Sequence, residues 1–263
     1  MIKRIKLFVN ENDKSKYTAE LVGNSLLKKG FIIDDKDFDL GIAIGGDGSF
    51  LRMIKNTNFN SDKYYIGINS GTLGFLQEIK VDNINEFVDE LIKNEYKIEE
   101  IGIQETTIYH NNSSSKFYSL NEIIIRDKDL KVLRLDVKID GDLLEKYIGD
   151  GILVATSSGS TAHNLSYGGS IVYNTFTSLQ ITPMAPINSK VYRSLLNSVI
   201  VPDKKVISLI PNNNDLLVTI DGENKIYNNV ENIETKIDNK KIKCLRLSHY
   251  NFPEKINEKL LID

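Results

Sequence analysis

The apolar positions of this chain follow two rhythms, and the change falls near residue 96. In the first part, short β-rich runs alternate with stretches whose apolar residues recur every three or four positions. Ile5 to Val9 predicts a strand. Asp13 to Lys29 gathers Leu21, Val22, Leu26 and Leu27, and predicts an amphipathic helix closed by Gly30. Phe31 to Ile33 reads as a short strand. Leu40 to Ile44 is apolar throughout, as a strand buried on both faces is. Ser49 to Asn56 predicts a helix and Tyr65 to Ile68 a strand. Asn83 to Lys93 predicts another helix, with Ile84, Phe87, Val88 and Leu91 on one face. This order implies parallel β/α/β units with helices covering a sheet.

From about Lys97 the period becomes two. "KIEEIGIQETTIYHN", "KFYSLNEIIIR", "VLRLDVKIDG" and "LEKYIGDGILVAT" follow one another, and later "VISLIP", "LLVTIDG" and "KIKCLRLS". Asp140-Gly141 and Asp221-Gly222 read as hairpin turns, where residues tolerating φ > 0 are needed. His110 to Lys116, "HNNSSSK", reads as an exposed hairpin tip. The expected second part is an antiparallel β-sandwich. The expected boundaries are 1–96 for an α/β domain, 97–250 for the sandwich, and 251–263 for a helix packing back on the first domain.

Composition narrows this little. The 263 residues are 41% hydrophobic and 26% charged, with a net charge of -3. No long basic run marks a nucleic-acid partner. Cys244 is the one cysteine, so no intrachain disulfide forms, and its apolar neighbours suit a buried thiol. "MIKRIKLFVNEN" is too short and too charged for a signal peptide. No apolar run approaches the roughly 20 residues of a membrane helix. The expected setting is cytoplasmic.

Common nucleotide signatures are missing. There is no G-x-x-x-x-G-K-[ST], and no G-x-G-x-x-G follows the first strand. His110, His163 and His249 have no zinc spacing. What remains is Gly45-Gly46-Asp47-Gly48-Ser49, a carboxylate between glycines where a strand meets a helix. Glycines bring backbone close to a ligand and aim N–H groups at phosphate, and the helix start favours anions. An aspartate there suits a hydroxyl whose proton it accepts, or a Mg²⁺ bridging to phosphate. The alternative is an aspartate that caps the helix. A second glycine-rich turn, "NSGTLGFL", spans Asn69 to Leu76. Both turns follow parallel strands, and so belong at the C-terminal edge of the sheet, where such folds bind ligands. Asn121-Glu122 offers acceptors and a donor for ribose hydroxyls, or is a solvated strand end. "GDGILVATSSGSTAHNLSYGGSIV", Gly149 to Val172, adds a second Gly-Asp-Gly and a turn of small hydroxyl residues. "ITPMAPINSK", Ile181 to Lys190, reads as a rigid turn.

In this order, Gly45 to Gly48, Asn69 to Leu76, Asn121-Glu122, Asp150-Gly151, Gly159 to Ala162, Ser166, Gly168-Gly169 and Thr182-Pro183 resemble the NAD kinase family. The resemblance runs from about Leu40 to Glu223. It implies an N-terminal Rossmann-like α/β domain and a C-terminal antiparallel β-sandwich. It implies transfer of the γ-phosphoryl of ATP, or in some members polyphosphate, to the 2′-hydroxyl of the adenosine ribose of NAD, forming NADP. Mg²⁺ or another divalent cation is expected with ATP, and a homodimer or homotetramer as the assembly. By the same match Asp47 is the catalytic aspartate. Gly46, Gly48, Leu73 and Phe75 line the nucleotide site. Arg52, Asn121, Glu122, Thr161, Ala162, His163, Asn164, Ser166 and Glu223 contact NAD, and Asp150 and Ala185 do so partly across a subunit boundary. Three positions depart from the family pattern: His163 stands where tyrosine is common, Ser157-Ser158 where Pro-Thr is, and Glu223 where Gln or His is. Two rival readings remain at this stage. One is another Gly-Gly-Asp-Gly kinase acting on a sugar phosphate or lipid. The other is an NAD-sensing module without catalysis.

Overall fold

The computed structural model describes residues 2–71, 74–212 and 215–261. The chain forms two compact units, Met1–Glu100 with Ile242–Asp263, and Ile101–Lys241. The elements begin with β1 (Arg4–Val9), α1 (Asp13–Lys28), β2 (Ile32–Ile33), β3 (Leu40–Gly45), α2 (Asp47–Asn56), β4 (Tyr64–Asn69), β5 (Ile79–Lys80), α3 (Ile84–Lys93) and β6 (Tyr96–His110). They continue with β7 (Ser113–Ser119), β8 (Glu122–Asp127), β9 (Leu133–Ile139), β10 (Asp142–Gly149), β11 (Gly151–Thr156) and α4 (His163–Ser166). Then come β12 (Ser178–Met184), β13 (Val199–Pro202), β14 (Ile207–Pro211), β15 (Leu216–Ile220), β16 (Glu223–Tyr227), β17 (Val230–Leu247) and α5 (Phe252–Leu260).

In the first unit β2, β1, β3 and β4 lie side by side and parallel, followed by the end of β17. All six residues of β3 are buried, as its unbroken apolar run requires. Val22 and Leu26 of α1, and Phe87, Val88 and Leu91 of α3, pack with Ile42, Ile44, Ile66 and Ile68 of the sheet. Phe50, Met53 and Ile54 are the buried face of α2. Chain order reverses between β1 and β3, so the connections leaving them run to opposite sides. The C-terminal edge at that point is where such sheets leave a ligand crevice. The Gly45–Gly48 turn stands there.

The second unit is a sandwich of antiparallel sheets. One has the order β13-β12-β11-β8-β15-β16. The other contains β10, β9, β14 and the first part of β17. Ile123, Ile125, Val154, Ile181 and Val218 from the first meet Leu135, Val137, Tyr147, Leu209 and Ile233 from the second. Ile124, between two of these, points to the opposite face with Leu153, Ala155 and Met184. The hairpins turn where expected. Asp140 and Gly141 have φ of 50 and 88, and Asp221 and Gly222 have 45 and 87. Asn111 and Asn112 make the β6–β7 turn with φ of 49 and 54.

Three details differ from the sequence reading. Helix α2 begins at Asp47 rather than Ser49, because Gly46 takes the N-cap position. Ile181 to Met184 is strand rather than turn, with Pro183 of β12 opposite Ile152 of β11. The units divide at Glu100/Ile101 and Lys241/Ile242, not at 96 and 250. The long strands β6 and β17 each contribute to both units, and their even period has no break there. Among the described residues no helix is long and apolar enough to cross a membrane.

Candidate active site

Strand β3 ends at Gly45, whose φ of +150 suits glycine, and a Cβ there would lie 2.3 Å from Ser49 Oγ. Gly46 is extended and caps α2 without a side chain. Asp47 is therefore the first helical residue, and its carboxylate is not a helix cap. It turns to the second glycine-rich loop instead. Phe75 N donates to Oδ2 at 2.8 Å and Leu76 N to Oδ1 at 2.9 Å. Gly74 lies directly against the carboxylate, so that a Cβ on it would sit 1.7 Å from Oδ1. The two glycine turns are thus joined through one side chain.

The carbonyl of Gly46 accepts from Ser49 N at 2.9 Å and from Gln77 Nε2 at 2.6 Å. Arg52 lies one turn along α2 and donates to Ser49 Oγ at 3.1 Å. After β4, Asn69 folds its amide onto Gly71, accepting at 3.0 Å and donating at 2.8 Å. Beneath the loops is a buried ionic group. Arg246 donates to Glu99 Oε2 at 2.7 Å from Nε and pairs with Glu78 at 3.2 Å. Lys255 of α5 donates to Gln77 O at 2.7 Å. Burial, and then Arg246, pull the Lys255 ammonium down to about 8, against Glu78, Asp47 and Glu99.

The second unit carries its own polar cluster. Asn121 precedes β8 and Glu122 opens it, and they are only 7% and 3% exposed. Asp221, in the β15–β16 turn, accepts the N–H groups of Leu120, Asn121 and Glu122 at 2.7, 2.8 and 3.2 Å. His163 Nδ1 lies 3.1 Å from Glu122 Oε1. Burial, with the Asp221 charge next, pushes the Glu122 carboxyl up to about 8. Burial pushes Asp221 up to about 6, opposed by its three N–H donors. The turn after β11 packs on this backbone, for a Cβ on Gly159 would lie 2.0 Å from Asn121 O. Asn121 Oδ1, Glu122 Oε2 and Ser158 Oγ are buried without a hydrogen-bond partner. Such atoms are costly unless something pairs with them.

Family models decide what these loops belong to. That of the ATP-NAD kinase N-terminal domain matches residues 6–96, and that of the ATP-NAD kinase C-terminal domain matches 120–239. The chain belongs to the NAD kinase family. It is a kinase, a phosphotransferase forming NADP from NAD. It is 43% identical to the NAD kinase of Finegoldia magna over 240 residues, 87% of each chain. It is 34% identical to that of Streptococcus pneumoniae over 261 residues, 97% of this chain and 95% of the other. Its fold is similar to yeast NADH kinase complexed with NADH, at a TM-score of 0.85 and 21% identity over 98% of this chain and 87% of that one. It is similar also to an Archaeoglobus fulgidus NAD kinase in complex with ATP, at 0.74 and 20% identity over 92% of each.

The NAD kinase expectations fall into groups in the structure. Gly46, Asp47, Gly48, Arg52 and Phe75 come together in the first unit, and Leu73 lies outside the described residues. In the second, Asn121, Glu122 and His163 come together, with Thr161 and Ala162 leading into His163 and Glu223 acting electrostatically on Asp221. Ser166 is exposed at the end of α4. Asn164 is buried and its amide is spent internally. It donates to Ser160 O and Ser170 O and accepts from Thr182 Oγ1 at 2.6 Å. Asp150 and Ala185 stand together, with Asp150 N donating to Met184 O at 3.0 Å. They are at the start of β11, whereas Ala155, near its end, pairs with Glu122. Asp150 and Ala155 are five positions apart along extended chain, about 17 Å. One chain does not bring Asp150 and Ala185 to the Asn121–His163 cluster. The sequence reading missed Gly74, Gln77, Arg246, Lys255 and the carboxylate role of Asp221. Gly74 and Asp221 sat inside motifs already noticed, whereas nothing in "FPEKINEKL" marks Lys255.

Proposed function

We propose that the chain transfers the γ-phosphoryl of ATP to the 2′-hydroxyl of the adenosine ribose of NAD, with Asp47 taking the hydroxyl proton. The observation that carries this is the cradle of Asp47. Its two oxygens each accept one backbone N–H, which fixes the carboxylate plane, and each keeps a lone pair for a hydroxyl. Asp47 orients the attacking oxygen and receives its proton late. The bond from O2′ to the γ-phosphorus forms as the bond to the bridging oxygen breaks, and ADP leaves with that electron pair. Gly46, Gly48 and the first N–H groups of α2 cradle the triphosphate. Arg52 and Phe75 line the same site. Asn121, Glu122, Thr161, Ala162, His163, Ser166 and Glu223 hold NAD, and the unpaired oxygens of Asn121, Glu122 and Ser158 support that reading. Asn164 acts by bracing the turn.

A divalent cation fits the donor set. The loop offers one hard carboxylate, Asp47, and Mg²⁺ carried on triphosphate oxygens needs little more from protein. Bound there it would neutralise charge on the phosphoryl oxygens. Assembly as a homodimer or homotetramer belongs to the proposal, because a second copy can supply the Asp150 and Ala185 that one chain holds apart. The segment after Ala185 exposes Val191 at 80% and Leu196 at 60%. A cytoplasmic setting goes with nucleotide substrates.

The test is NADP formed from NAD and Mg·ATP, read through an NADP-specific dehydrogenase. Asp47→Asn is expected to lose roughly 10²- to 10⁴-fold in turnover while still binding NAD. Near-normal turnover in that variant removes Asp47 from the role of proton acceptor.

A further inference from the structure

Lys255 has no place in the reaction just described, yet its ammonium is buried. It is 8% exposed and donates to Gln77 O at 2.7 Å, with Glu78 at 3.8 Å. Gln77 is fully buried and donates from Nε2 to Gly46 O at 2.6 Å, on the residue before Asp47. Its other amide atom, Oε1, has no partner, and a Cβ on Gly67 would lie 2.2 Å from it. That amide is wedged so that Nε2 meets the Gly46 carbonyl, at the expense of an unpaired acceptor. Two and one residues earlier, the N–H groups of Phe75 and Leu76 hold the Asp47 carboxylate. The segment 74–77 therefore grips the catalytic turn twice, by its backbone and by the Gln77 side chain. Lys255 is the group that anchors that segment from α5.

We propose that Lys255 is a positioning residue for phosphoryl transfer, acting through Gln77 to hold the Gly46–Asp47 turn. This rests on the reading of Asp47 as the proton acceptor. Burial beside a second cation, Arg246, disfavours the Lys255 ammonium, so space-filling alone gives no reason for a lysine here. A methionine would fill the same volume without opposing Arg246. What the lysine adds is a charged donor aimed at Gln77 O, and this bond ties the C-terminal helix to the catalytic loop.

The experiment uses the full chain and steady-state NADP formation, with wild type and Asp47→Asn as references. Lys255→Met and Gln77→Met are each expected to lower kcat about 10- to 100-fold, since a shift near 1 Å costs on the order of 10²-fold. KM for NAD and for ATP should stay within about threefold, which a general loss of structure would not produce. The double variant should be no slower than the slower single one, because both break one relay. Lys255→Arg, which keeps a cation and donors, should recover kcat to within about fivefold of wild type. Multiplied losses in the double variant, single variants with kcat within twofold of wild type, or a rise in KM alone overturn the proposal. If Lys255→Met fails to fold by circular dichroism, Gln77→Met decides, and unchanged kcat there overturns it. An inactive wild type sinks the kinase reading itself. An active wild type with inactive Asp47→Asn and normal Lys255→Met sinks only the relay.

Discussion

Gly74→Ala puts the proposed role of Asp47 under the sharpest test, because it adds one methyl and touches no chemistry. The φ of Gly74 is not in the left-handed region, so alanine is allowed there by backbone conformation. Space is the obstacle. The new Cβ would stand 1.7 Å from Asp47 Oδ1 and 2.6 Å from Oδ2. Non-bonded heavy atoms need roughly 3.5 Å, so the carboxylate or the loop must retreat by about 1.5 Å or more. That distance breaks the bonds from Phe75 N and Leu76 N, now 2.8 and 2.9 Å. Hydrogen bonds to a charged group contribute about 1.5–3 kcal/mol each, but the half-buried carboxylate recovers much of this from water. A net destabilisation of about 1–3 kcal/mol follows, partly offset by about 0.4–1 kcal/mol from a stiffer unfolded chain. At 2–4 °C for each kcal/mol in a chain of this size, Tm should fall by about 10 °C at most. Turnover should fall far more, by about 10²- to 10³-fold, because a carboxylate moved 1 Å or more no longer meets the hydroxyl. The assay is kcat for NADP formation beside Tm and NAD affinity. A folded Gly74→Ala protein with kcat within threefold of wild type would refute the view that this cradle aims Asp47.

Other expectations concern the second unit and the lone thiol. The Glu122 carboxyl is raised from its ordinary 4.5 to about 8, so the native state holds a proton that the unfolded state releases. The stability this gives is complete below about pH 4.5 and is lost as pH climbs to 8; Glu122→Gln should flatten that fall in urea titrations at pH 5 and pH 8, and equal slopes for both proteins speak against it. Gly159→Ala, whose Cβ would meet Asn121 O at 2.0 Å, should raise KM for NAD about tenfold or more, and an unchanged KM removes that turn from the NAD contacts. Cys244 is fully buried and its thiol is pushed up to about 12, so Ellman's reagent should leave the native protein unmodified and label it only in denaturant.

By itself the sequence determined the elements and their two rhythms. The unbroken apolar run of β3, the alternation in β9 and the Asp-Gly and Asn-Asn turns are local properties, and local sterics and burial decide them. The order of glycine loops was enough to reach the family, since spacing along a chain survives without coordinates. Tertiary structure decided what Asp47 touches. A helix cap and a carboxylate free for other work read alike in "GGDGSF", and only the approach of Gly74, Phe75 and Leu76 to the Asp47 side chain shows that it does not cap the helix. It also showed that Asp150 lies about one strand length from Glu122, although both belong to the same unit and each reads in the sequence as part of one nucleotide site. Lys255 was illegible, for its partner Gln77 is 178 residues away and helix periodicity marks only that a position is buried. Pairwise contacts between distant segments depend on how sheets and helices stack, and no local pattern in the chain encodes them.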